Sequence, residues 1–325
     1  MKIDLKPPNG LSGCEHTGEQ LMATAADTIT DDSDVFEEDT IRLLYKNSLK
    51  ILKRIRDGAV DRESGQKVGP TFPISKAAQL VGRTASAIRE AEKDGRLPER
   101  ARTENGHRVQ YSLADLDRMR EVFGTRPWRE PSDPASIISI SNFKGGVGKS
   151  TTAVHLAQFL AIRGYRVCLI DCDSQASTTM MFGYVPDVDL TENDTLYGYL
   201  HDTPLGGLRT IVRKTHFHNL DLVPANLKLY NLEYEIAGYI MQNGSFDIID
   251  AISNAIDTIE DDYDVIILDP PPALGMISMG VLTAANSLIV PMPPSIVDFS
   301  STASFLDMLG TTIKQLEVVS KKRPV

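Results

Sequence analysis

Apolar and polar residues follow two different periods along this chain, and the change between them divides it. In residues 35–60 the apolar positions Ile41, Leu44, Tyr45, Leu52 and Ile55 recur at helical spacing, with Arg42, Lys46, Lys50, Lys53 and Arg54 largely on other faces, until Gly58 ends the run. Acids at its start and bases at its end suit the helix macrodipole. Further on, a short helix from Ile74 would bury Ala77, Ala78 and Val81, Gly82 breaks it, and a second from about Thr84 would bury Ala87, Ile88 and Ala91 before Gly95. Leu113, Leu116, Met119 and Val122 mark another amphipathic helix. Beyond residue 135 the pattern switches to short, nearly continuous apolar runs at 136–141, 165–170, 220–223, 265–268 and 287–290. Helical stretches lie between and after them, at 149–162, 227–241, 246–259, 276–285 and 299–316. Continuous apolar strands alternating with amphipathic helices predict an α/β fold with a mostly parallel sheet covered on both faces.

The segments between carry little pattern. Residues 1–34 are rich in Thr, Ser, Gly and acids and predict a disordered acidic tail. Gly65, Gly69, Pro70 and Pro73 mark 61–72 as a linker, and Pro127, Pro131 and Pro134 punctuate the connection into the α/β part. Between the small helices, Asn105-Gly106 is a hairpin-turn signal flanked by Arg102, His107 and Arg108. Helix, turn, helix, basic hairpin and helix over 71–126 is a winged helix-turn-helix pattern.

The chain of 325 residues carries a net charge of -10, which excludes a uniformly basic surface. The sum hides an asymmetry: residues 71–130 hold 12 Lys/Arg against 9 Asp/Glu, a balance of +3, while 1–70 and 131–325 are acidic. Cys14, Cys168 and Cys172 have neither metal-ligand spacing nor the even count of a disulfide framework, which suits a reducing cytoplasm. No apolar run has membrane-spanning length.

The chemistry gathers at the first strand-to-helix turn, Ser-Asn-Phe-Lys-Gly-Gly-Val-Gly-Lys-Ser-Thr over 141–151. Gly145, Gly146 and Gly148 let backbone N–H groups converge on an anion, and the helix that follows adds its own unpaired N–H groups and positive dipole end. The phosphate cradle is Lys144, Gly145, Gly146, Val147, Gly148, Lys149, Ser150 and Thr151: Lys149 faces the β and γ phosphates, and Ser150 can ligate Mg²⁺. Phe143 stands where the general P-loop pattern asks for glycine. Asp171, Asp173 and Asp269 sit at carboxyl ends of predicted strands, where parallel sheets bind ligands. Asp269 closes Val-Ile-Ile-Leu-Asp, an apolar strand ending in a carboxylate that would hold Mg²⁺.

With Lys144 directly before Gly-Gly, the loop resembles the deviant Walker A motif of the ParA/MinD ATPases, and Phe143 leans the resemblance toward ParA. The resemblance implies a P-loop ATPase domain over 135–325, a nucleotide-sandwich homodimer in which Lys144 reaches the partner subunit's γ-phosphate region, and weak, partner-stimulated ATP hydrolysis. In the Asp-Cys-Asp-Ser-Gln stretch it gives Asp173 the orientation of the attacking water and Asp171 a supporting place at the metal site. The segment 174–182 and Pro270-Pro271-Pro272 become candidate switches.

The pattern at 71–126 resembles the MerR-like winged helices, which implies that Thr84, Ser86 and Arg89 face the DNA groove while Arg102, His107 and Arg108 grip the backbone. The helix at 35–60 fits either packing on its own domain or pairing of two chains, as in the larger partition ATPases. Together these imply a cytoplasmic, nucleoid-associated partition ATPase that binds operator and nonspecific DNA, regulates its own expression, works with a ParB-type protein and needs no membrane. Against the family pattern the chain is expected to be incomplete at its C-terminus. Two alternatives stand beside this reading, a MinD-like positioning ATPase and a repressor for which nucleotide is only a ligand.

Overall fold

Strands that are apolar up to their last residue need cover on both faces, and two such strands form the centre of this molecule. A computed structural model describes residues 38–59, 68–127, 129–130, 133–202, 206–232, 234–235 and 248–319. The expected tail at 1–34, Cys14 and much of the helix expected at 227–241 lie outside these residues. The chain divides into two units, 1–51 and 52–325. Helix α1 (Glu38–Ala59) starts in the first, and Ile41, Leu44, Tyr45 and Leu52 on it are exposed.

The second unit opens with a small helical body. Strand β1 (Thr71–Phe72), α2 (Ile74–Val81), α3 (Ala85–Lys93), β2 (Tyr111–Ser112) and α4 (Leu113–Phe123) surround a core of Ala77, Val81, Ile88, Ala91, Leu116 and Met119. Thr84 caps α3, its hydroxyl accepting from Ala87 N at 3.1 Å, and Ser112 with Asp115 forms a capping box on α4. Gly82 at φ 71° and Gly124 at φ 61° end α2 and α4 in the left-handed region that glycine tolerates.

Three details depart from the sequence pattern. Thr71 and Phe72, read as linker, form β1 and pair with β2. The hairpin around Asn105-Gly106 is held by the single bridge Arg102↔Arg108 rather than a ladder. Val122 is exposed and Phe123 packs in its place, while Ala87 stays half-buried.

The main sheet has six strands in the order β5-β6-β4-β7-β3-β8. These are β3 (Ser136–Ile140), β4 (Val167–Asp171), β5 (Arg213–Lys214), β6 (Leu220–Val223), β7 (Val265–Asp269) and β8 (Ser287–Ile289). All pair in parallel except the edge strand β5, which lies antiparallel on β6. Every residue of β4 and β7 is buried. Their side chains alternate between two cores: Cys168, Ile170, Ile266 and Leu268 face α9 (Ile248–Asp257) and α10 (Met276–Ala284) on one side. Val167, Leu169, Val265 and Ile267 face α5 (Lys149–Arg163) on the other. Short α6 (Ser177–Met181), α7 (Pro186–Asp189) and α8 (Leu196–Asp202) follow β4, and α11 (Ile296–Val319) follows β8. Cys168 and Cys172 are fully buried, and burial pushes both thiols up, so they are inert fillers.

One polar clamp fixes the ends of β4 and β7 opposite the site. Arg166 reaches Asp264 through Nη2 at 2.7 Å and Nε at 3.2 Å, Arg166 N donates to the same carboxylate at 2.8 Å, and Asp264 N donates to Arg166 O at 2.8 Å. Asp264 is buried. The substitution Asp264→Ala removes the acceptor of Arg166 N and the carboxylate partner of its guanidinium, so it should lower the unfolding free energy by about 2 kcal/mol. Urea melts of both proteins check this, and equal midpoints would show that the clamp contributes nothing.

Candidate functional site

The carboxyl ends of β3, β4 and β7 meet the N-terminus of α5, and the residues with chemistry collect there. Between β3 and α5 the chain makes the glycine loop. Gly146 (φ 75°) and Gly148 (φ 87°) adopt left-handed backbone, and a Cβ on Gly145, Gly146 or Gly148 would meet nothing within 4 Å. Glycine is therefore required at Gly146 and Gly148 by conformation, and the space beside the loop is open on the side where an anion would approach. Asn142 anchors the loop: its amide donates to Pro291 O at 2.9 Å, and its carbonyl accepts from Lys144 N at 3.0 Å. Phe143, the departure from the general motif, packs edge-on against Phe305 of α11 with ring centroids 4.6 Å apart. Lys144 lines a cavity of about 460 Å³ with Asn142, Phe143, Ser301, Ser304 and Phe305.

Lys149 is 7% exposed, and its Nζ donates to Lys144 O at 3.3 Å. Burial pulls its pKa down, while the nearby charges of Asp269 and Asp173 push it back up. A buried lysine whose ammonium makes one long hydrogen bond favours an anion beside it.

Asp269 is fully buried at the end of β7. Thr178 Oγ1 donates to its Oδ2 at 2.7 Å, whereas Oδ1 is buried without a hydrogen-bond partner. Burial raises its pKa, and the hydroxyls of Thr178 and Ser150 pull it back. An orphaned buried carboxylate oxygen beside Ser150 fits a hydrated cation. Among the described residues no three His, Cys, Asp or Glu side chains make a cation cage by themselves, so a metal here needs oxygens from its own ligand as well.

Asp171 pairs with Asp269 across the β4–β7 register. Its carboxylate is already engaged by the protein. Its Oδ2 accepts from Thr179 N at 2.8 Å and Thr179 Oγ1 at 2.7 Å, its Oδ1 accepts from Asp173 N at 3.2 Å, and the group is sealed from solvent. Burial and the neighbouring Asp269 push it up to about 7. Asp171 thus organises the turn that carries Asp173. Asp173, 9% exposed, accepts from Gln175 N at 2.9 Å. Ala176 closes the turn in left-handed backbone at φ 52°, a strained conformation for a residue with a Cβ.

Thr178 and Thr179 were not singled out from the sequence. Thr179 also accepts from Ala225 N at 3.0 Å, so one hydroxyl links β4, the turn and the end of β6. The signal available was a Thr-Thr pair within the segment flagged as a switch.

The candidate DNA-facing residues divide. Ser86, Arg89, Arg102 and His107 are exposed, and Arg102 Nη1 donates to Gly106 O at 3.0 Å. Thr84 is exposed but holds the α3 cap. Arg108 turns inward: it pairs with buried Glu92 and donates through Nε to Tyr111 Oη at 2.9 Å, while Tyr111 donates to Glu92 at 2.8 Å. The anion that accounts for Arg108 lies within the chain, so it is a clamp of the wing. Arg100 does the same, pairing with Asp115 at 2.9 Å and lying 4.7 Å over the Tyr111 ring.

A family model described as an AAA domain matches residues 135–321. SopA of Escherichia coli K12 is 37% identical over 266 residues, 79% of this chain and 68% of SopA. A Rhizobium rhizogenes relative named as a replication protein A is 37% identical over 264 residues, 78% of this chain and 65% of that protein. The chain thus spans about two thirds of the length of these relatives. A solved structure titled Partition Protein superposes with a TM-score of 0.65 at 22% identity, covering 88% of this chain and 79% of the other, and so shares its fold.

The Thr179 junction makes a prediction of its own. Thr179→Val removes one donor to a buried carboxylate and the acceptor of Ala225 N, so it should lower stability by about 1–3 kcal/mol, while Thr179→Ser stays near the parent. Denaturant melts of the three proteins decide it, and a Val variant as stable as the parent would remove the hydroxyl from the account.

Proposed function

The chain belongs to the ParA/SopA family of partition ATPases, and on that premise we propose that it uses ATP to drive DNA segregation and binds its own operator through the winged helix. The observation that carries the reading is Lys149, buried at the head of α5 beside a glycine loop and facing Asp269 and Asp173. The nucleotide's β and γ phosphates supply the charge this ammonium lacks. Mg²⁺, held by Ser150 and Asp269, neutralises phosphate charge when bound, and the orphaned Asp269 Oδ1 is the oxygen that supports its place.

Phosphoryl transfer asks little of a protein beyond position and charge. Asp173, presented on a turn pinned by Asp171, orients the attacking water. Lys144 acts in the partner subunit of a homodimer, closing a site that one chain leaves open. The exposed apolar face of α1 supports pairing of two copies through that helix as well. The domains follow as helix 35–60, winged helix 71–126 and ATPase from 135. Operator DNA meets Ser86, Arg89, Arg102 and His107, nonspecific DNA meets the ATP-bound dimer, and a ParB-type partner stimulates turnover in the cytoplasm, on the nucleoid.

The shared site can be tested by mixing two inactive variants. Lys144→Ala lacks the group given to the partner, and Asp173→Ala lacks the group used in its own site, so only their heterodimer holds one intact site. Hydrolysis by an equimolar mixture should return to about a quarter of the parent rate, the share of intact sites in a two-fold dimer. A mixture as inactive as its components would place Lys144 and Asp173 in the same subunit's site. For the winged helix, Arg89→Ala should weaken binding to the selected duplex by about 1–3 kcal/mol if it reads a base edge. Equal weakening on every duplex, with a shallower salt dependence, would make Arg89 a phosphate contact.

A further inference from the structure

The winged helix and the ATPase domain meet at one buried guanidinium. Arg120 on α4 is 1% exposed. Its Nη2 donates to Ile162 O at 2.6 Å, at the end of α5, and at 3.4 Å to Leu80 O, at the end of α2. Both acceptors are carbonyls at helix C-termini, where a cation is favoured by the dipole and satisfies oxygens that no intrahelical N–H reaches. Gly164, the cap of α5 at φ 99°, leaves the room: a Cβ there would lie 2.9 Å from Arg120 Cδ and Nη1. Ile162 and Phe217 of the ATPase domain pack on the winged-helix core around this point.

The joint is incompletely satisfied. Arg120 Nη1 and Asp117 Oδ1 are both buried without hydrogen-bond partners, and they face each other 4.0 Å apart. Arg126 at 3.5 Å and His218 at 3.4 Å approach the other oxygen of Asp117. A pair of opposite charges left about 1 Å beyond hydrogen-bond distance needs only a small shift of either side chain to close the gap. Helix α5, a rigid rod of about 22 Å at 1.5 Å per residue, has the phosphate loop at one end and this pair at the other. Its small displacement at the far end is what the pair can register.

We propose that Arg120 is a positioning residue that couples occupancy of the P-loop to the pose of the helix-turn-helix, with the Asp117–Arg120 gap as the element that changes. The proposal rests on the nucleotide-binding reading above. One rod tied by one side chain to the first helix of the DNA-reading pair gives a physical route by which nucleotide state reaches operator binding.

The test uses the full chain and no DNA. Hydrogen exchange is followed in peptides covering α2 and α3, with and without the slowly hydrolysed analogue Mg·ATPγS, alongside calorimetric nucleotide affinity. In the parent, the nucleotide should change exchange at Leu80 to Gly82 and in α3 on the order of fivefold or more. Arg120→Lys keeps the charge but cannot span both carbonyls, and should bind nucleotide with parental affinity while losing that change. Asp117→Asn keeps volume and both carbonyl bonds, and should also lose most of it; this variant carries the test if Arg120→Lys fails to fold. A nucleotide-dependent change as large as the parent's in either folded variant would overturn the coupling role, as would a parent that binds nucleotide tightly with no change in these peptides. A parent that binds no nucleotide would instead overturn the P-loop reading and the coupling with it.

Discussion

The constraint from which the rest follows is the removal of one lysine ammonium from water. Lys149 sits at the first position of α5, where the helix dipole already concentrates positive character, and the residue is buried. Such a placement is costly alone, and burial lowers the lysine's pKa; two carboxylates, Asp269 and Asp173, offset part of that lowering. Those carboxylates are in turn buried and need donors. Thr178 serves Asp269 and Gln175 N serves Asp173, whose own backbone N–H is held by the Asp171 carboxylate, which Thr179 serves in turn. The result is a chain of dependencies running outward from one cation, in which the missing partner is an anion.

The sheet exists to hold those groups at fixed separation. Asp171 and Asp269 are register partners on adjacent fully buried strands, so their spacing is set by the hydrogen-bond ladder rather than by side-chain packing. The Arg166–Asp264 clamp pins the same two strands at their start, and Thr179 ties the end of β4 to the loop after β6. Stiffness here matters more than stability, because electrostatic stabilisation of phosphoryl transfer depends on dipoles that need not reorganise.

How much of this was legible in the sequence depended on how local its cause was. The fold class was readable because buried strands such as 265–269 and their helices each carry a pattern within a few residues. The glycine loop was readable because phosphate binding needs backbone N–H groups, and glycine declares them. Two-residue strands such as β1 and β5 carry no period, so neither was seen. Asp117 and Arg120 look like the solvent face of α4 and are buried because a second domain covers them. Arg108 looks like a DNA contact and is answered by Glu92, 16 residues earlier in the sequence. These last misses are polar side chains whose partners or cover lie elsewhere along the chain, which no local pattern encodes.

The central claim is that affinity at this site comes from a phosphate chain meeting Lys149 and the glycine loop. Calorimetric titration of the chain with ATP, ADP and AMP in the presence of Mg²⁺ tests it most directly. ATP and ADP should bind, and AMP should bind on the order of a hundredfold more weakly, about 2.7 kcal/mol, because it cannot reach past the loop to the ammonium. AMP binding as tightly as ATP would place recognition elsewhere and contradict the account.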